Sequence, residues 1–128
     1  MKIKIPVARP SLDGNELKYV TECIKTNWIS SVGKYVEKFE ADFAGYCGTK
    51  YAVATFNCTV ALHLALVAIG IKRGDEVIIP DLTFVATANA VSYIGARPVF
   101  VDIDEETWCI NTEKIISINP IIHEVISS

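Results

Sequence analysis

Asn57-Cys58-Thr59 is the stretch whose residue types and position could do chemistry. It lies between Tyr51-Ala52-Val53-Ala54-Thr55, an apolar run of strand composition, and Val60 to Ile69. That second segment is apolar except for His63, and Gly70 closes it as a helix C′ residue should. A strand that turns directly into a helix leaves first-turn N–H groups facing a crevice, a geometry that favours an anion and above all a phosphate. Thr59 can use its hydroxyl to cap the helix or to donate to that phosphate, and capping is the commoner use. Neither G-x-x-x-x-G-K-[ST] nor G-x-G-x-x-G occurs, so a Walker or dinucleotide loop is excluded.

Other residues earn weaker readings. Phe84 follows a second apolar run and could stack on a flat ring, although such a Phe is more often core. Asp102 and Asp104 could be metal ligands or a ribose acceptor. Without a Gly-rich loop or His partners, they read as solvated strand-end carboxylates. His63, among Leu62, Leu64 and Leu66, reads as a packed residue. Cys58 has no His nearby to mark it as a nucleophile and reads as a small packing residue.

The elements that must position these residues follow from periodicity. Lys2 to Pro10 reads as an extended arm, because Pro6 and Pro10 remove ladder donors. Asp13 and Glu16 form a capping-box pattern, and Leu17, Val20 and Ile24 predict a helix over 14–25. Residues 26–33 are a loop around Trp28. Val36, Phe39, Phe43 and Tyr46 predict a second amphipathic helix ending near Gly45 or Gly48. Strands and helices then alternate: strand 51–55, helix 60–69, polar turn 72–75, strand 76–80, helix 83–94 stopped by Gly95, and strand 98–104. Asn111 or Thr112 can cap a last helix through Ile116, and Ile118 to Ser128 gives mixed signals. Such alternation makes βαβ units and a parallel sheet, with the strand carboxyl ends (55–59, 81–84, 102–104) on one ligand-facing edge.

The chain's 128 residues suffice for one domain with a real core, and 51% hydrophobic with 21% charged residues marks it as globular. A net charge of -3 gives no electrostatic case for nucleic acid or an anionic membrane surface. Val60 to Ile71 is the longest apolar run, short of the roughly 18 residues of a membrane span, and the N-terminal run is too short for a signal peptide. Four widely spaced cysteines without a C-x-x-C pair predict free thiols in a reducing cytoplasm rather than disulfides or a zinc site.

Four ordered blocks resemble the opening portion of the DegT/DnrJ/EryC1/StrS aminotransferases: Gly33 to Glu40, Asn57 to Leu66, Gly74 to Pro80, and Thr83 to Asn89. The resemblance runs from about Ile5 to Lys114. It implies an α/β fold: a parallel-sheet fragment of the large domain of a fold type I pyridoxal-phosphate (PLP) transferase, preceded by two N-terminal helices. Residues 1–50 would be the arm and helices, 51–114 a βαβαβ part of the PLP-binding domain, and 115–128 a divergent, truncated tail. The implied activity is amination of a nucleotide-linked keto sugar by an amino donor, in amino-sugar biosynthesis.

The resemblance also assigns roles. The backbone at Cys58 and the backbone and hydroxyl of Thr59 would hold the cofactor phosphate, with Asn57 beside them. Phe84 would stack on the pyridine ring, which reverses the ordinary readings of Thr59 and Phe84. Trp28, Ile29 and Ser30 would line the sugar pocket. The family usually has Gly, Ala or another small residue where Cys58 stands. None of the nine lysines matches the context of the family's Schiff-base lysine, which lies beyond position 128 in the family, as does the acidic partner of the pyridine nitrogen. The chain alone is therefore expected to be inactive, a truncated, frameshifted or split product needing a complementing C-terminal polypeptide. The family's active sites are built across a homodimer. The alternative is a non-catalytic fragment that binds a phosphate-bearing ligand or a partner.

Overall fold

Residues 8–118 are described by the computed structural model, and the chain divides into two units, Met1–Ala54 and Thr55–Ser128. Most of the arm expected over Lys2 to Pro10, and the tail beyond Ile118, lie outside the described residues.

The N-terminal unit contains α1 (Glu16–Lys25) and α2 (Lys34–Cys47). Both expected helices form, but α1 starts two residues late and the capping box is absent. Asn15 holds the N-cap position without a side-chain bond. The Glu16 carboxylate instead accepts the Gly14 N–H, and Asp13 takes the Ser11 hydroxyl at 2.6 Å. Both side chains are engaged by local backbone and hydroxyl donors, a competition that short polar residues often win over helix capping. At the other end of the unit, α2 stops where expected: Gly48 adopts a left-handed φ of 67° and the Thr49 N–H reaches back to the Ala44 carbonyl.

The C-terminal unit runs α3 (Cys58–Ala68), β1 (Glu76–Pro80), α4 (Ala86–Tyr93), β2 (Arg97–Val101) and α5 (Thr112–Ile118). β1 and β2 pair in parallel, from Glu76 opposite Arg97 to Pro80 opposite Val101, with α4 as the crossover. Ile79, Val91 and Ala96 form the buried centre, and Leu66, Ile71, Val77 and Ala88 pack against it. Val91 is only 1% exposed, so α4 is fastened by its inward face. α3 packs on α4, with His63 half-buried and tilted against Tyr93 at 6.0 Å between ring centres, the packing role read for it. The α3 C-terminus is a Schellman turn: Gly70 N–H donates to Val67 and Ile71 N–H to Leu66.

Three expectations are corrected here. Tyr51–Thr55 joins no ladder among the described residues, and the sheet there has two strands rather than three. Strand composition makes a strand only where a second backbone supplies donors and acceptors. Helix 83–94 begins at Ala86, because the Asp81 N–H still donates to Val101 at 2.9 Å and holds the chain along the sheet. The last strand ends at Val101, not at 104. Beyond it Ile103 bridges Ile110, and Asp104 accepts the Glu106 and Thr107 N–H groups and the Thr107 hydroxyl, closing a turn. Asn111 caps α5 through the Lys114 N–H at 3.1 Å, and the helix extends past Ile116 to Ile118.

Candidate functional site

Two sets of candidate residues exist, one in each unit. In the C-terminal unit the start of α3 can be accounted for donor by donor. The Asn57 carbonyl accepts from Ala61, and the Asn57 side-chain oxygen accepts from Val60 at 3.0 Å. Asn57, extended at φ -163°, is therefore the N-cap in place of the Thr59 hydroxyl. Among the described residues, the N–H groups of Cys58 and Thr59 and the Thr59 hydroxyl have no partner. Two backbone donors and one hydroxyl at the positive end of a helix are a set that an anion satisfies. Cys58 is exposed, and its N–H is offered whatever side chain stands there.

Phe84 lies in the segment that leaves β1 for α4, and the residue is 78% exposed. A Phe so placed contributes little to the core and presents an aromatic face. The free donors at the start of α3 suit a phosphate, and the exposed Phe84 suits a flat ring. The strand-end carboxylates are engaged otherwise: Asp102 pairs with Lys114 and accepts the Ile103 N–H, and Asp104 holds its turn. Each carboxyl is held below its ordinary range, Asp102 mainly by the Lys114 hydrogen bond and Asp104 mainly by the Thr107 N–H.

In the N-terminal unit the loop between α1 and α2 holds Trp28, Ile29 and Ser30. The Trp28 N–H continues the end of α1 by donating to Cys23, and its indole Nε1–H donates to the Val32 carbonyl at 2.8 Å. Trp28 and Ser30 line a cavity of about 390 Å³ together with Glu22, Lys34 and Tyr35. With Ile29, they also line a neighbouring cavity that includes Val20, Ile24 and Phe39. Ile29 lines the second of these cavities and not the first.

Glu22, Lys34 and Tyr35 were not singled out individually from the sequence. Their link is a carboxylate on α1 that accepts from the Lys34 ammonium and the Tyr35 hydroxyl on α2. The Lys34 bond, then the Tyr35 bond, holds the Glu22 carboxyl below its ordinary value. The same contacts push Lys34 and Tyr35 up. The block Gly33-Lys34-Tyr35 was the available signal, but its partner twelve residues upstream could come only from the packing of the two helices.

The fold and these residues describe an α/β unit whose helix α3 leaves backbone donors free at its start. Residues 10–123 match the sequence model of the DegT/DnrJ/EryC1/StrS aminotransferase family, and the chain belongs to that family. The GDP-perosamine synthase of Caulobacter vibrioides is 57% identical over 112 residues, which are 88% of this chain and 30% of that protein. Among solved structures, an aminotransferase from Psychrobacter cryohalolentis is 39% identical with a TM-score of 0.78, covering 88% of this chain and 29% of that one. The Escherichia coli GDP-4-keto-6-deoxy-D-mannose-3-dehydratase with bound hydrated PLP is 30% identical with a TM-score of 0.79, covering 91% and 31%. The chain thus spans about 30% of the length of the curated relative it matches. PLP is the cofactor expected of the family.

Proposed function

We propose that this chain is the N-terminal part of a PLP-dependent aminotransferase of the cytoplasm that acts on a nucleotide-linked keto sugar. The N–H groups of Cys58 and Thr59 and the Thr59 hydroxyl hold the cofactor phosphate, with Asn57 fixing the helix start beside them. Phe84 lies against the pyridine ring, and Trp28, Ile29 and Ser30 line the sugar pocket. The observation that carries this reading is the set of unpartnered donors at the start of α3. PLP, when bound, supplies the electron sink for amine transfer. This chain's residues bind and orient: the helix start anchors the phosphate, and the exposed Phe84 face limits the tilt of a flat ring.

The proton-moving amine of the family is not among the nine lysines, on the resemblance of their contexts. The residues present here therefore bind and orient the cofactor, and the proton-moving amine comes from outside these 128 residues. A PLP titration read by absorbance and protein fluorescence tests this, with Thr59→Ala and Phe84→Ala in parallel. Saturable binding is expected, weakened about five- to tenfold by each substitution. Borohydride should leave no stable adduct at a single lysine. Absence of saturation, or affinity indifferent to both substitutions, refutes the cofactor site. A stoichiometric adduct at one lysine refutes the reading that none of these nine lysines is the proton-moving amine.

A further inference from the structure

The Trp28 loop shows features that a simple pocket rim does not require. The indole is held by its hydrogen bond to Val32, and it lies against Gly33 so closely that an added Cβ would meet Nε1 at 2.0 Å. It forms part of the walls of the two cavities described above. In the 390 Å³ cavity it accompanies Glu22, Lys34, Tyr35 and Glu37. That volume lies at the lower end of the roughly 300–1,000 Å³ common among ligand sites.

The charges bear on which ligand fits. Glu22 and Lys34 neutralise one another, and Glu37 adds a negative charge, so the cavity does not favour an anion. Hydrogen-bonding capacity remains, however. An ammonium has three donors and a carboxylate about four acceptor sites, of which the Glu22–Lys34–Tyr35 cluster uses only part. An aromatic ring beside such donors and acceptors complements a pyranose, which has an apolar C–H face and a rim of hydroxyls.

The geometry points to Glu22, Lys34 and Tyr35 as the hydroxyl-recognising set of a neutral hexopyranose subsite, with Trp28 as its stacking platform. This rests on the reading of Trp28, Ile29 and Ser30 as the sugar pocket, and adds which side chains discriminate. Tyr35 is positioned for this by α2 and by its ring contact with Tyr19, at 4.7 Å between centres. Its hydroxyl can therefore be removed without removing that packing.

The test uses the full chain carrying Trp108→Phe, so that Trp28 is the only indole. Methyl mannopyranoside and, separately, inorganic phosphate are titrated to concentrations of order 0.1 M while Trp28 emission is followed. Saturation by the mannoside, weakened about fivefold or more by Tyr35→Phe and by Glu22→Gln, is the expected result. Circular dichroism establishes that both variants remain folded, and Tyr35→Phe alone decides if Glu22→Gln does not fold. Saturation that neither variant alters overturns this inference and leaves the Trp28 pocket standing. Saturation by phosphate but not by mannoside overturns it in favour of an anion site. No saturation by either overturns both the subsite and the sugar-pocket reading beneath it.

Discussion

Gly33→Ala should be the most damaging single-methyl change in the N-terminal unit. Gly33 precedes α2 with φ 144° and ψ 171°, a region of backbone space that is almost exclusively glycine's. Forcing alanine there costs about 1–3 kcal/mol. The added Cβ would also meet Trp28 Nε1 at 2.0 Å and Cδ1 at 2.4 Å, so the indole must leave its seat. It then loses the hydrogen bond to Val32, a further contribution of about 1 kcal/mol. Together these give about 2–4 kcal/mol. Gly48 provides an internal control: its φ of 67° also disfavours a side chain, but nothing lies within 4 Å of a built Cβ. Gly48→Ala should therefore cost only about 1 kcal/mol, through the left-handed conformation alone. Urea unfolding followed by Trp28 emission, with Trp108 replaced by Phe, measures both. Gly33→Ala should also shift Trp28 emission to the red before any denaturant is added. Equal losses for the two glycine variants, with native Trp28 emission unchanged, would refute the argument.

Two further perturbations follow from other parts of the structure. Asn57→Ala removes the cap on Val60 and should destabilise the C-terminal unit by about 1 kcal/mol in equilibrium unfolding, whereas Thr59→Ala should cost far less because its hydroxyl bonds nothing among the described residues. Reversed magnitudes would return the capping role to Thr59. The Glu22–Lys34 contact makes stability depend on pH at both extremes. Glu22 has its folded pKa depressed below its ordinary 4.5, so its contribution is present above that value and fades as pH falls through the folded pKa. Lys34 has its folded pKa raised above its ordinary 10.5, so its contribution is present below that value and fades as pH rises through the folded pKa. Both effects should be small and weakened by salt, since both side chains are exposed. Melting profiles of the wild type and Glu22→Gln should converge at acid pH; a difference that persists unchanged there would count against the contact.

What could be read from the sequence was what is decided locally. Leu17, Val20 and Ile24 mark α1, Val36, Phe39 and Phe43 mark α2, and Gly48 and Gly70 end their helices because left-handed backbone at a C-terminus is inexpensive only for glycine. β1 was legible end to end because Gly74 and Asp75 turn the chain directly before it, with the Asp75 carboxylate accepting the Lys72 N–H. What escaped depends on partners distant in sequence. Tyr51–Thr55 has strand composition, yet Tyr51 and Val53 are 74% and 70% exposed and no neighbouring strand pairs with them among the described residues. The start of α4 depended on a bond from Asp81 to Val101, twenty residues away, and Glu22 acquired its meaning only from α2. Propensity cannot carry such information, since a residue's own preference is the same whichever partner arrives.

On the proposed reading, stability and binding share one helix end at the start of α3. A helix begins with several unpaired N–H groups, and each side-chain cap removes one from those available to a ligand. Had the Thr59 hydroxyl been drawn into capping, as its type suggests, the proposed phosphate site would have lost a donor. Asn57 resolves the conflict by standing one residue before the helix, where its oxygen reaches Val60 and leaves Cys58 and Thr59 free. The proposed site asks only for the backbone of Cys58, so a cysteine side chain there is compatible with it. Asn57→Asp sharpens the point. It keeps an oxygen for Val60 and should preserve or raise stability, since an anionic cap suits the helix N-terminus. Its charge beside the free donors should nevertheless weaken PLP binding about tenfold or more. A substitution neutral for folding but damaging for the cofactor would separate the two roles. If Asn57→Asp left PLP affinity intact, the phosphate would have to lie elsewhere than at the start of α3.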